Sequence, residues 1–318
     1  ILTESAHKYK VVTQMGNQGH SGEGIRQVTE WIAAGLIGKV REVHTWTNRP
    51  IWPQSSEMDR PSEAQKAPQG MDWDQWCGPA PLRPFHASYH PGKWRAWWDF
   101  GTGSLGDMGC HIIDPAFMAL NLGYPDSVEG NLSTVYETFG KKTSGKNESY
   151  PRSSIVRYKF PARGDMPPLT LTWWDGGLMP QRPDELEDDM PFGDPNGGCY
   201  FIGDKGKLVC GCYGEKPRLL NADLREAAKK LAKTIPRIPG NTSGHEKDWI
   251  RACKGGVAAS SNFDYSGPLS EMVLMGNLAS RFPDRKLLWD GAKMKVTNDE
   301  GANAYVNRVY RKGFELGT

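Results

Sequence analysis

Apolar and polar positions along this chain change period several times, and each change predicts an element. Between residues 23 and 36, Ile25, Val28, Trp31, Ile32 and Ala34 recur at helical intervals until Gly35 and Gly38 stop the run. Residues 40–47 then alternate apolar and polar, the pattern of a strand with one buried face. Ahead of them, residues 1–10 read as the end of a helix, residues 11–15 as a short buried strand, and residues 16–22 as a polar glycine loop. Residues 48–90 lose all period, are rich in proline and carry one short turn around residues 72–76. Loops of this length inside compact domains usually serve function, and the aromatic residues argue against disorder. The segment is therefore expected to wrap a cleft and to deliver Tyr89, Trp94 and Arg95 to the helix that follows.

Beyond a helix ending near Gly123, strand patterns fall at residues 127–139, 154–160, 169–175, 199–202, 207–212 and 218–220, with tight glycine turns such as 203–206. Consecutive strands on short turns imply antiparallel pairing. Helical patterns then cover residues 222–234, 245–254, 269–281 and 301–311, with a strand at 286–289. The fold class predicted is α+β: a largely antiparallel, open-faced sheet with helices on one side.

The candidate chemistry lies in the glycine-rich run from Gly101 to Asp114. Asp107 and His111 stand four residues apart on a predicted helix, close enough for the carboxylate to orient the ring and favour its protonated form. Ser104 and Asp107 also fit a capping box, which would account for the acid without catalysis. Gly101, Gly103, Gly106 and Gly109 cost helix propensity, and that cost makes sense where backbone lies against a ligand or another element. The same residues match a GxGxxG dinucleotide fingerprint, with Asp126 near the spacing of a ribose-binding acid. The match is rejected, because the fingerprint needs a buried aliphatic strand before it and residues 93–100 are charged and crowded with indoles. A glycine loop after a strand is a common ligand position in α/β sheets, so Asn17, Gln18 and His20 are further candidates, beside their reading as ordinary turn residues.

Composition narrows the picture by exclusion. A net charge of +2 with dispersed Lys and Arg gives no footprint for nucleic acid or an anionic membrane. Six cysteines without a CxxC pair make a zinc site or disulfide scaffold improbable, and no metal is expected. Apolar runs fall short of the ~20 residues of a membrane helix. The 12 tryptophans suit either a sugar-binding cleft or an aromatic core. The chain opens on Ile1 and not on Met, which leaves a targeting signal ahead of it open.

Four stretches carry a resemblance. They are Met15 to Ser21 (MGNQGHS), Trp94 to His111 with its GD-x-G-x-H element, the run from Ser261 to Glu271, and Thr297 to Asn303. Together they resemble the glucose-fructose oxidoreductase / inositol dehydrogenase / MocA family, in its bacterial branch with a long C-terminal domain. The resemblance implies an NAD- or NADP-dependent oxidoreductase acting on a sugar or polyol, and a homo-oligomer formed through the open sheet face. By that resemblance residues 1–22 are the last helix and strand of a Rossmann-type nucleotide domain, and residues 23–318 are the substrate and oligomerisation domain. Asp107 and His111 align with the family's acid and histidine. Trp94, Arg95, His20 and Tyr89 would bind substrate, and Asn17 and Gln18 would touch the cofactor. The family's dinucleotide glycine motif and Glu-Lys-Pro element do not occur in this sequence, so most of the cofactor site is expected to lie outside it. A non-catalytic carbohydrate-binding protein, or a redox-assisted glycosidase using tightly bound NAD, is the alternative.

Overall fold

The computed structural model of the protein describes residues 1–55, 58–134, 136–139, 141–142 and 148–316. Its frame is a nine-stranded sheet. In chain order the strands are β1 (Val40–Thr47), β2 (Ser127–Leu132), the separate short hairpin β3 (Tyr136–Thr138) and β4 (Lys141–Lys142), β5 (Ser154–Phe160), β6 (Leu169–Trp174), β7 (Gly197–Gly203), β8 (Lys207–Gly211), β9 (Arg218–Leu219), β10 (Lys286–Asp290) and β11 (Lys295–Val296). The large sheet runs β11-β10-β2-β5-β6-β1-β7-β8-β9. All its pairs are antiparallel except β1 with β6, where Val43 lies opposite Leu171.

Alternation puts Val43, Val128, Val156, Leu171, Trp173, Phe201 and Leu208 on one face, buried under the helices. Those helices are α2 (Glu23–Ala33), α4 (Gly103–Ile112), α5 (Asp114–Ala119) and α8 (Phe263–Arg281); α1 (Leu2–Tyr9), α3 (Trp73–Cys77), α6 (Ala222–Ala228), α7 (His245–Cys253) and α9 (Glu300–Asn303) lie outside this layer. Helix α2 buries Ile25, Val28 and Ile32, the stripe its periodicity predicts. On the other face Trp46, Tyr200 and Val209 are covered by Leu186 and Phe192, while the rest carries polar side chains such as Arg157 and Glu129. The α+β arrangement with one helical layer is thus as the sequence patterns predict.

Several boundaries differ. Residues 11–15 form no strand: Val11 and Val12 are exposed, and the segment is tied instead to the later helices, with Met15 N donating to Ser261 O at 2.9 Å and Gln14 Nε2 to His245 O at 2.7 Å. The helix predicted to run to Gly123 is two helices, broken where Pro115 cannot donate its amide. Residues 229–234 and 304–311 are not helical, whereas α8 begins six residues earlier than its apolar pattern, on an Asn262 cap. The strand predicted over 127–139 ends at Leu132; residue 135 lies outside the described residues. Among the described residues no helix is long and apolar enough to cross a membrane.

Candidate active site

The irregular segment 48–100 is held by its aromatic residues. Trp73 stacks on Trp76 at 4.6 Å between ring centroids, Tyr89 meets Trp97 edge-on at 5.2 Å, and Trp97 Nε1 donates to Ser88 O at 2.9 Å. Aromatic clusters of this kind bury large areas and fix the backbone between them. Anchored this way, the chain passes through a short 3-10 turn, Lys93–Ala96, that sets Arg95 against the start of α4. Contact there is close: a Cβ at Gly101 would stand 2.5 Å from the Arg95 backbone, so only glycine fits.

Arg95 Nε donates to Asp107 Oδ1 at 2.7 Å, and its guanidinium lies 4.6 Å from the Trp94 ring and 5.7 Å from that of Trp52. Arg95 and Asp107 line a cleft of about 410 Å³ together with Arg49, Trp52, Pro53 and Lys93. A carboxylate and several guanidinium and ammonium donors beside an indole suit a polyhydroxylated ligand, whose hydroxyls both donate and accept.

One turn further along α4, His111 is half-buried, and its enclosed Nδ1 has no hydrogen-bond partner among the described residues. Its ring meets Tyr213 edge-on at 5.0 Å. Burial pulls the imidazole below the ordinary histidine value, against the opposing pull of Asp114 and Asp107, so the ring favours the neutral, proton-accepting form. The expected contact between Asp107 and His111 is not made. The carboxylate binds Arg95, because an always-charged guanidinium forms the stronger charge-assisted bond. Nor does Asp107 favour the imidazolium overall, since desolvation is the larger effect. The capping box is also absent: Thr102 precedes the helix without a side-chain cap, and Ser104 is buried near Gln54. Next to His111, burial pushes the Cys110 thiol up to about 12, which rules it out as a thiolate nucleophile at neutral pH.

A second polar centre surrounds Asp114, which is 1% exposed. Its carboxylate accepts from His20 Nδ1 and Asn17 Nδ2, both at 3.1 Å, and from the Tyr265 hydroxyl. Asn17 Oδ1 in turn accepts from Ser261 Oγ at 2.6 Å. Beside it Ser21 Oγ lies 2.7 Å from His245 Nδ1, and His245 Nε2 donates to Met15 O at 2.8 Å.

The candidates therefore divide. Arg95 and Asp107 share the cleft, Trp94 stacks on Arg95 outside its lining, and His111 stands one turn away. Tyr89 belongs to the aromatic cluster and does not reach the central helix, since its ring is enclosed by Trp73, Trp97 and Phe100. His20 and Asn17 are bound to Asp114 in the interior instead of facing His111, and Gln18 is half-buried with no hydrogen bond from its side chain. Asp114, Tyr265 and Ser261 were not singled out from sequence, although Asp114 closes the glycine-rich run and the other two lie in a stretch that carries the resemblance. Among the described residues no group of three or more His, Cys, Asp or Glu could hold a metal ion.

Residues 23–132 match the family model described as the oxidoreductase family, C-terminal alpha/beta domain (GFO_IDH_MocA_C2). The fold agrees with the aldose-aldose oxidoreductase from Caulobacter crescentus, solved with glycerol, at 12% identity and a TM-score of 0.50 over 90% of this chain and 67% of that one. It agrees equally with the WlbA dehydrogenase from Bordetella pertussis, solved with NADH and UDP-GlcNAcA, at 11% identity and a TM-score of 0.51 over 91% and 67%. An oxidoreductase from Thermotoga maritima is matched at 10% identity and a TM-score of 0.46 over 86% of this chain. The chain spans 61% of that protein's length. No curated protein matches the sequence.

Proposed function

We propose that this chain is the substrate-binding part of an NAD- or NADP-dependent oxidoreductase acting on a sugar or polyol, and that His111 exchanges the proton of the reacting hydroxyl. The observation that carries this reading is His111 itself: a half-buried imidazole that burial biases to the neutral form, with its Nδ1 unpartnered among the described residues, one helical turn from the Arg95–Asp107 cleft. Removing hydride from an alcohol acidifies its oxygen, and a neutral imidazole is suited to accept that proton. Arg95 and Asp107 bind and orient neighbouring hydroxyls.

The residues described here do not by themselves fit a nicotinamide dinucleotide. Both ends of the Asn17 amide are spent on Asp114 and Ser261, and the only GxGxxG run follows a 3-10 turn instead of a strand. In this reading the dinucleotide is held by residues other than these 318. The test is turnover of sugars and polyols by the complete protein, followed by NAD(P)H absorbance with each cofactor. His111→Ala should lower kcat by roughly 10²–10⁴-fold. Turnover within about threefold of the unmodified enzyme would remove His111 from the chemistry, and absence of both turnover and cofactor release on denaturation would leave a carbohydrate-binding protein.

A further inference from the structure

A second cavity, of about 920 Å³, shares no residue with the Arg95–Asp107 cleft. It opens between the end of α5, the start of α8 and residues 235–239, and its walls are largely apolar, with Phe117, Met118, Leu122, Ile238, Pro239 and Val257 among them. Four charged side chains also border it, and three meet a titratable partner at ion-pair distance. Arg237 is held by Glu23 and Glu30, with contacts of 2.9 and 2.5 Å, Arg251 pairs with Asp248, and Asp264 pairs with His7 at 2.7 Å.

Arg26 is the exception. It is 2% exposed, and among the described residues no carboxylate lies within ion-pair distance of it. Its Nε donates to Pro236 O at 2.7 Å, and Nη1 donates to His20 O at 2.7 Å and Gly22 O at 3.0 Å. These carbonyls fix the guanidinium plane but do not neutralise it, and Nη2 has no acceptor within the described chain. Burial holds the guanidinium below the ordinary arginine value, with Arg237 adding to the effect and the more distant carboxylates of Asp248, Glu23 and Asp114 opposing it. His20 reaches the same cavity. Its Nδ1 is committed to Asp114, which leaves Nε2 as the ring nitrogen without a protein partner. A buried positive charge with a free donor at the polar end of an apolar cavity is a site awaiting one negative charge on an apolar body.

We infer that this cavity binds an amphipathic organic monoanion, a carboxylate with an aliphatic or aromatic body, with Arg26 Nη2 on the carboxylate and the apolar walls around the rest. A monoanion supplies the contact ion pair that Arg26, alone among the lining arginines, lacks among the described residues. A dianion such as phosphate would overcompensate it and would gain nothing from the walls. The site is separate from the proposed redox chemistry, so neither reading depends on the other.

Isothermal titration calorimetry of the intact protein tests this with octanoate, octanamide and inorganic phosphate as probes. Octanoate is expected to bind at least about tenfold more tightly than octanamide, the margin of a charge-assisted hydrogen bond, with phosphate weaker still. Arg26→Gln should weaken octanoate roughly 10- to 100-fold and leave octanamide within about threefold. The proposal is overturned if octanoate fails to bind at millimolar concentration, if octanamide or phosphate matches it, or if Arg26→Gln folds and keeps the preference. Should that variant not fold, hydrogen exchange on the unmodified protein decides. Octanoate must then protect residues 117–124 and 235–239, and protection confined elsewhere rejects the site.

Discussion

Replacing Asp114 tests whether the buried centre is a keystone of the helical layer. Its carboxylate gathers donors from three separate segments: Asn17 and His20 before α2, and Tyr265 in α8. Asn17 is 0% and His20 3% exposed, so neither can turn to water when the acceptor is lost. Leaving a buried donor unmet costs about 1–3 kcal/mol, and three such donors with partial relaxation give roughly 3–6 kcal/mol for Asp114→Ala. Asp114→Asn keeps the shape but turns one acceptor into a donor facing donors, and about 1–3 kcal/mol is expected. Urea unfolding followed by tryptophan fluorescence reads both as a lower midpoint at unchanged slope. In a double-mutant cycle, Tyr265→Phe should couple to Asp114→Ala by more than about 0.5 kcal/mol. A loss under about 1 kcal/mol for Asp114→Ala would refute the argument and imply that water already reaches the centre.

Three other outcomes follow from the same geometry. Asp175 is buried beside Trp173 and Ser154, and desolvation pushes its carboxyl up from 3.8 to about 7, more than the opposing hydrogen bonds from Ser154 and Trp173 lower it. A raised folded-state value contributes stability that is complete below about 4 and lost as pH rises through about 7. The stability difference between the unmodified protein and Asp175→Asn should therefore shift by on the order of 4 kcal/mol between those limits, and a flat difference would contradict it. Asp107→Asn should cost under about 1 kcal/mol of stability, since both members of its ion pair are partly solvated, yet weaken a sugar or polyol ligand about tenfold. A loss above about 2 kcal/mol in thermal unfolding would make that pair structural. Gly103→Ala puts a Cβ 2.7 Å from the Tyr150 ring on backbone at φ +61°, so a destabilisation of about 2 kcal/mol or more is expected from calorimetry. An unchanged melting temperature would show that Tyr150 yields at no cost.

The sheet and α2 were legible because burial imposes a period, and a period needs only near neighbours in sequence. Val43 and Trp173 share the helix-covered face for the reason their patterns show. Residues 11–15 were misread on the same logic, since Val11, Val12 and Met15 look like a buried strand. Strand formation needs a partner edge, and here the backbone bonds go to Ser261 and the side chains to His245 and Phe263. The break at Pro115 was visible in sequence, but the apolar residues on both sides of it argued for continuity.

The site shows a different limit. Spacing correctly put Asp107 and His111 on one helix, but spacing fixes only which groups could meet, not which partner a group takes. Arg95 comes from a segment whose path is set by stacked aromatic rings, and no periodicity foretells where such a segment will lay a guanidinium. Once there, its permanent charge and fixed fork of donors outcompete an imidazole whose own burial disfavours protonation. Burial is what leaves His111 neutral, and the loss of Asp107 to Arg95 leaves its Nδ1 without a partner among the described residues, so the missed contact and the proposed proton acceptor belong together.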